Sequence, residues 1–332
     1  MSFIEINKTD YFHNLEILST KAGGKQRISV VLKDNAYGHS LLIMAKLSSE
    51  FGIKRAVVRF SEEAIKIEPF FEHIIILSPK KGEKENPKFS YVINDLTQIP
   101  LLSQNCSIHL KVDTGMHRNG IDISQVQKAC KLIKNLDGVL THFRSADKLS
   151  SELFWQKKIW EDVKKEVLKL REKRPLFHSA NSAALLRDEK CYDDFARCGI
   201  STYGYHSLPS SFKTPKLKPI LSLWAEKIAT RSLNKGDRVG YSGEFEATKK
   251  MMISTYDIGY GDGFFRFDGE GELLNGEKKP FLGKVSMDSC AFESDKQKVS
   301  IFQDASYVAN HFNTISYDVL VKLSTSIPRV VV

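Results

Sequence analysis

The chain has 332 residues, 42% apolar and 27% charged, with 49 Lys plus Arg against 40 Asp plus Glu for a net charge of +9. This balance suits a globular protein with room for two domains, and no apolar run approaches the ~20 residues that cross a bilayer, so membrane insertion is not expected. Basic residues are dispersed among acids, as in Lys80-Lys-Gly-Glu-Lys-Glu85, instead of interleaving with aromatics on one segment, which argues against nucleic acid and leaves cations for a small anionic ligand.

The amino-terminal stretch Met1 to Asp10 mixes charge with hydrophobes and lacks the basic-then-apolar layout of an export signal, so cytoplasmic residence is expected. Ile28 to Lys33 reads as a strand covered on both faces, because Ile28, Val30, Val31 and Leu32 are interrupted only by the small Ser29. Further strands are expected at Arg55 to Phe60, Ile74 to Leu77, Tyr91 to Asn94, Ser107 to Val112 and Val139 to Phe143, with shorter ones near Phe177 and Phe195. Helical spacing is clearest at Leu41 to Ser49, Ser124 to Lys134 and Ser151 to Arg171, the last turning Leu153, Trp160, Val163, Val167 and Leu170 toward a core. Eight short strands alternating with helices predict an α/β fold of the closed (β/α)8 TIM-like barrel type.

Past Thr214-Pro-Lys-Leu-Lys-Pro219 the pattern changes to β-like pieces divided by Gly and Asn turns: Leu221 to Arg231, Val239 to Tyr241, Met251 to Tyr256 and Lys284 to Phe292. The expected plan is a barrel over residues 1–216 and a mostly β domain over residues 217–332. Five cysteines, Cys106, Cys130, Cys191, Cys198 and Cys290, show no C-x-x-C spacing, so reduced thiols are expected and no metal.

Lys33 ends an apolar run, with Asn35 and Gly38 breaking the strand behind it, and packing does not explain a lysine there. Desolvated, it can lose its proton and attack a carbonyl carbon, which is how Schiff-base chemistry with pyridoxal phosphate begins. Arg118, His142, Ser182 and Arg197 also fall at or just after expected strand ends, the face where barrel enzymes assemble their sites.

The string Val31-Leu-Lys-Asp-Asn-Ala-Tyr-Gly-His39 resembles the cofactor-lysine segment of the alanine racemases. Other segments resemble that family in the same order: Leu110-Lys-Val-Asp-Thr-Gly-Met-His-Arg-Asn-Gly120, Thr141-His-Phe143 with Ala146-Asp147, His178-Ser-Ala-Asn-Ser-Ala183, Arg197-Cys-Gly-Ile-Ser-Thr-Tyr-Gly204, and Gly259-Tyr-Gly-Asp-Gly263 followed by Gly283-Lys-Val-Ser-Met-Asp288. The likeness spans nearly the whole chain. It implies the same two-domain plan, pyridoxal 5'-phosphate as cofactor, and interconversion of L-alanine and D-alanine by two bases in the supply of wall precursors.

The resemblance also implies roles for single residues. Lys33 carries the cofactor and is one base, Tyr37 donates to the phosphate, and Ser182 with the backbone amides of Gly199 and Ile200 completes the phosphate cradle. Arg197 faces the pyridine nitrogen and His142 helps to hold it. Because an arginine stays protonated, the ring nitrogen should not, which weakens the ring as an electron sink and discourages side reactions. Tyr260 is the second base and, in the family, reaches the barrel of the partner subunit, so a homodimer with shared active sites is implied. Arg118 and the amide of Met287 meet the substrate carboxylate, while Asp288 supports the tyrosine's surroundings. Lys111 matches a lysine often carbamylated in the family to orient the arginine; a plain ion pair with Asp113 is the other option.

Two departures bear on specificity. Thr325, in Ser324-Thr-Ser-Ile-Pro-Arg329, stands where the family often has a tyrosine over the cofactor phosphate, so either larger substrates or looser cofactor binding is expected. The segment from Phe267 to Lys279 is shorter than usual, so entryway residues do not transfer. The alternatives are a racemase of serine, lysine or broader specificity on the same fold, or a non-enzymatic pyridoxal-phosphate-binding protein, which would need neither Tyr260 nor Arg118.

Overall fold

The computed structural model describes residues 2–83, 85–188 and 190–332 and divides into two units. The first strand, β1 (Phe3–Ile6), belongs to the second unit. The first unit is built on β2 (Ile28–Val31), β3 (Arg55–Val58), β4 (His73–Ile76), β5 (Phe89–Ile93), β6 (Ser107–Lys111), β7 (Leu136–Leu140), β8 (Leu176–His178) and β9 (Ala196–Cys198). These eight pair in parallel in the order β8-β7-β6-β5-β4-β3-β2-β9. A bridge between Asn181 and Arg197 spans the remaining gap, so the sheet is a nearly closed barrel with helices around it.

Every residue of β2 is buried, as its unbroken apolar run requires. The long outer helix, Glu152–Leu170, buries Leu153, Trp160, Val163 and Val167, and the Trp160 indole donates to the Asp193 carboxylate at 3.0 Å, giving a buried polar atom its partner. Leu170, at the helix end, is only half-buried. β7 begins at Leu136, ahead of the expected Val139, and Gly138 is the reason. A Cβ at Gly138 would lie 2.5 Å from the His109 ring, so the strand carries a glycine where sequence periodicity looks for an apolar side chain.

β2 stops at Val31 because the chain then enters an unusual turn. Asp34, Asn35, Ala36 and Tyr37 all have φ between 52° and 54°, one turn of left-handed helix. Asn and Asp tolerate that region, whereas alanine and tyrosine lose roughly 1–2 kcal/mol per residue there. Local bonds offset the cost: the Asp34 amide donates to Glu63 at 2.8 Å, the Ala36 amide to the Leu32 carbonyl at 2.8 Å, and the Leu41 amide to Asn35 at 2.9 Å. The left-handed run begins directly after Lys33, so the chain leaves the course of the strand at the residue that bears the amine.

In the second unit β10 (Leu221–Leu233) is the organising strand. It pairs antiparallel with β1, with β13 (Met251–Tyr256) and with β15 (Lys298–Phe302), and register shifts at Lys227/Ala229 and Leu223/Trp224 mark bulges along it. β11 (Arg238–Val239) and β12 (Phe245–Glu246) form a short ribbon, β14 (Cys290–Phe292) flanks β13, and β16 (Arg329–Val331) runs parallel to β1. The expected strand from Lys284 shrinks to β14, because the chain from Gly283 to Ser289 is irregular, with bends at Gly283, Met287 and Asp288. Among the described residues no helix is long and apolar enough to cross a membrane, and all five cysteines are buried and free.

Candidate active site

At the carboxyl ends of the barrel strands, cations gather around one imidazole. Burial pushes His142 down to about 3, and Arg197, Lys111, Arg118 and Lys33 all press in the same direction. Lys33 follows β2 with its side chain 37% exposed and its Nζ 3.8 Å from the Asp34 carboxylate. Lys111, the last residue of β6, is lowered to about 8 by burial first and then by Arg197 and Arg118. A good fraction of it is therefore a neutral amine near pH 8, the form that reacts with carbon dioxide. Asp113 uses its carboxylate on the following loop, accepting the Gly115 and Met116 amides at 2.8 Å each, and the loop then presents Arg118 at the surface.

Arg197 is almost wholly buried yet remains a cation, lowered only to about 10 by burial. Nη2 donates to the carbonyls of Thr141 at 2.7 Å and Ser179 at 3.2 Å, while Nη1 donates to the His178 carbonyl and, at 2.8 Å, to the His178 ring nitrogen Nδ1. These bonds do not use Nε–H. The ring holding Arg197 is thus His178, where the sequence had suggested His142; His142 shares the cation cluster but is not the hydrogen-bond partner. Beside Arg197, the Ser182 hydroxyl accepts the Gly199 amide at 3.1 Å and the Ser201 hydroxyl at 2.9 Å. Tyr203, ending the short helical turn Ile200–Tyr203, donates to the Val31 carbonyl at 3.0 Å and ties this cradle to the strand before Lys33.

In the second unit Tyr260, Met287 and Asp288 lie on two interlocked loops. The Tyr260 amide donates to the Ser286 carbonyl at 3.1 Å and the Gly261 amide to the Met287 carbonyl at 2.8 Å. A Cβ at Gly259 would fall 2.1 Å from the Met287 carbonyl oxygen, so glycine is what permits the approach. Tyr260 is 39% and Met287 55% exposed, and Asp288 is exposed beside them. The same unit holds Tyr37, whose ring lies 5.7 Å from that of Tyr317, and Gly38, whose carbonyl accepts Arg329 Nη2 at 3.0 Å. Arg329 also donates to the Ser324 carbonyl at 2.7 Å, and the Ser324 amide to the Asp262 carbonyl at 2.9 Å, so the tail carrying Thr325 is fastened to both the Gly38 segment and the Tyr260 loop.

Comparison with known proteins places the chain in a family. The family model for the alanine racemase N-terminal domain matches residues 6–207, and that for the alanine racemase C-terminal domain matches residues 220–331. The chain belongs to the alanine racemase family. A curated alanine racemase from a Nitratiruptor species is 50% identical over 99% of each chain, and that of Campylobacter curvus is 45% identical over 99% of each. Among solved structures, the alanine racemase of Bacillus anthracis with bound L-Ala-P is 26% identical with a TM-score of 0.87, covering 100% of this chain and 95% of that one. The Clostridium difficile 630 alanine racemase shares the fold with a TM-score of 0.90 at 24% identity, covering 100% of this chain and 95% of that one.

Within the alanine racemase frame, the residues that sequence alone did not single out are His178, Ser179, Ser201 and the Thr141 carbonyl. Their roles are side-chain and carbonyl bonds between strands distant in sequence, which no spacing rule reports. His178 did stand in a motif string, but beside Asn181 and Ser182 it carried no signal of its own.

Proposed function

We propose that this chain is a pyridoxal-phosphate-dependent isomerase that interconverts L-alanine and D-alanine, with Lys33 and Tyr260 as its two acid/base groups. The observation that carries the proposal is the placement of Lys33 just after β2, Lys111 at the end of β6, Arg118 on the loop that follows it and Arg197 in β9, cations assembled at the strand ends where barrel enzymes build their sites. Such a concentration of positive charge suits a ligand set with a phosphate, a phenolate and a carboxylate. Ser182, Gly199 and Ser201 fit the phosphate, since the long amide contacts to Ser182 Oγ at 3.1 and 3.5 Å are ones that a phosphate oxygen can replace. Tyr37 and the Ile200 amide complete that cradle. Arg197 fits an unprotonated pyridine nitrogen, because its remaining Nε–H can only donate.

Pyridoxal phosphate, when bound, supplies an aldehyde for an amine and a ring that acidifies the α-carbon of an attached amino acid. The chain does the rest. Arg118 and the Met287 amide fix the substrate carboxylate, with Lys111 orienting Arg118, and Asp288 supports the loop that bears Tyr260. Lys33 moves the α-proton on one side of the planar carbon and Tyr260 on the other, so configuration is lost when the proton returns from the opposite side. Arg197, by withholding its proton, favours prompt return over longer-lived side chemistry. Tyr260 serves the barrel of a partner subunit in a cytoplasmic homodimer, and the product is D-alanine for wall precursors.

A broader substrate range is the second possibility, and Thr325 favours it: the residue is small and exposed in a tail otherwise pinned by Arg329. Incubating the holoenzyme with separate L-amino acids in heavy water decides both points. Alanine is expected to lose optical activity and gain an α-deuterium together, with serine and lysine slower; no α-deuterium in alanine would reject the proposal.

A further inference from the structure

Behind Arg197 the barrel interior holds a file of polar side chains that the reaction itself does not call for. His178 and His109 are fully buried, their rings 2.8 Å apart from Nε2 of the first to Nδ1 of the second. His109 Nε2 lies 3.6 Å from Oδ2 of Asp137, whose side chain is 29% exposed near the amino-terminal end of β7. A guanidinium can only donate, so His178 Nδ1 must accept from Arg197 and its proton must lie on Nε2. That proton points at His109 Nδ1, which must accept in turn, leaving the His109 proton on Nε2, facing the carboxylate. We propose that Arg197, His178, His109 and Asp137 form one directed chain of contacts through the barrel, and that His109 and Asp137 are positioning residues that hold Arg197 in the orientation the reaction needs.

Three features fit this role. Burial holds both imidazoles neutral, with Arg197 adding to the effect, and a proton on either would set two N–H groups head to head. Asp137 stays anionic down to about 2, chiefly through its contact with His109, so a negative charge terminates the chain that begins at a positive one. The rings are fixed in plane as well, His178 stacked on Phe195 with centroids 4.4 Å apart and His109 against the bare Gly138 backbone. The other charged or titratable groups facing Asp137 and His109 are His73 and Arg55; His73 is itself held neutral by burial, and the Arg55 guanidinium lies over the Phe195 ring at 4.2 Å.

The same residues offer an opposite interpretation. His73, His109 and Asp137 place one ligand atom each within 4.8 Å of one another, a grouping able to hold a metal ion. An ion on His109 Nε2 would force its proton to Nδ1, then the His178 proton to its own Nδ1, where it would meet the donating Nη1 of Arg197. Metal at that site and the Arg197 to His178 bond exclude each other, and the geometry favours the bond.

This inference rests on the proposed role of Arg197, but its first test does not. In the cofactor-free protein labelled with 15N-histidine, NMR is expected to show His178 and His109 as neutral Nε2–H tautomers from pH 6 to 8, unchanged by added zinc; an Nδ1–H tautomer at either ring, or zinc bound to His109, overturns the chain. In the holoenzyme, His109→Leu is expected to lower kcat about tenfold, the scale of one lost buried hydrogen bond, with KM for alanine little changed. The conservative Asp137→Asn, partly exposed and therefore tolerant, should move kcat in the same direction and alter the pH profile of the cofactor absorption band. Folded variants with wild-type kcat and band would reduce the chain to scaffolding, whereas a wild-type protein that does not racemise alanine would reject the function and leave the tautomer result standing.

Discussion

Lys33→Ala is expected to erase the absorption band of bound pyridoxal phosphate and to cut alanine racemisation by at least about 10³-fold, because it removes both the amine that holds the cofactor and one of two proton-transfer groups, each worth about 10²–10⁴. Little else should change. Lys33 is partly exposed beyond β2, its near neighbour is the Asp34 carboxylate, and the left-handed turn that follows is held by backbone bonds from Asp34, Ala36 and Leu41, none of which uses the lysine side chain. The thermal midpoint should stay near wild type while the band disappears. Borohydride reduction of the wild-type holoenzyme should fix the cofactor to the peptide containing Lys33, and to no peptide of the variant. Retention of the band in Lys33→Ala would refute the cofactor assignment.

The second large effect is on stability in mild acid. Burial pushes His73 and His142 down to about 3, holds His178 well below its ordinary range, and lowers His109. In the unfolded chain these rings titrate near 6.5, so between that pH and about 3 the unfolded state binds more protons than the folded one. Stability is fully present above 6.5 and falls as the pH drops. At pH 5 His73 and His142 each remove about 2 kcal/mol, His178 and His109 act in the same direction, and the sum is a large part of the ~5–15 kcal/mol that holds a typical domain together. Asp137 does not compensate in this window, since its contribution is lost only as the pH falls below the ordinary carboxylate range toward about 2. Lys111, lowered to about 8, is disfavoured equally at all these pH values. Urea unfolding of the cofactor-free protein should therefore show a midpoint that drops steeply from pH 7.5 to 5, and a midpoint independent of pH would mean that these rings are charged or hydrated in the native barrel.

Much of this architecture can be seen in the residues themselves, and the exceptions have physical causes. β13 spans the residues its apolar run assigns to it, β2 and β3 begin where expected but stop two residues short, and Lys33, Arg118 and His142 come after strand ends. β7 is displaced because Gly138 replaces a side chain with room for the His109 ring, so periodicity is silent at the residue that matters. Tyr37 and Ala36 are not residues from which a left-handed turn would be guessed; bonds from the Asp34, Ala36 and Leu41 amides hold it. β1 is too short for a pattern of its own and acquires meaning only when it pairs with β10 and β16. His178 illustrates the general difficulty: its partners, Arg197 and His109, lie 19 and 69 residues away, and only closure of the barrel brings them together.

The two-base assignment stands or falls on how each alanine enantiomer exchanges its α-hydrogen in Tyr260→Phe. With the cofactor band intact, one enantiomer should take up deuterium from heavy water at close to the wild-type rate through Lys33, while the other slows by about 10²–10⁴-fold for want of the phenol. Equal wild-type exchange of both enantiomers would remove Tyr260 from the reaction and leave the opposite face of the substrate without a proton carrier.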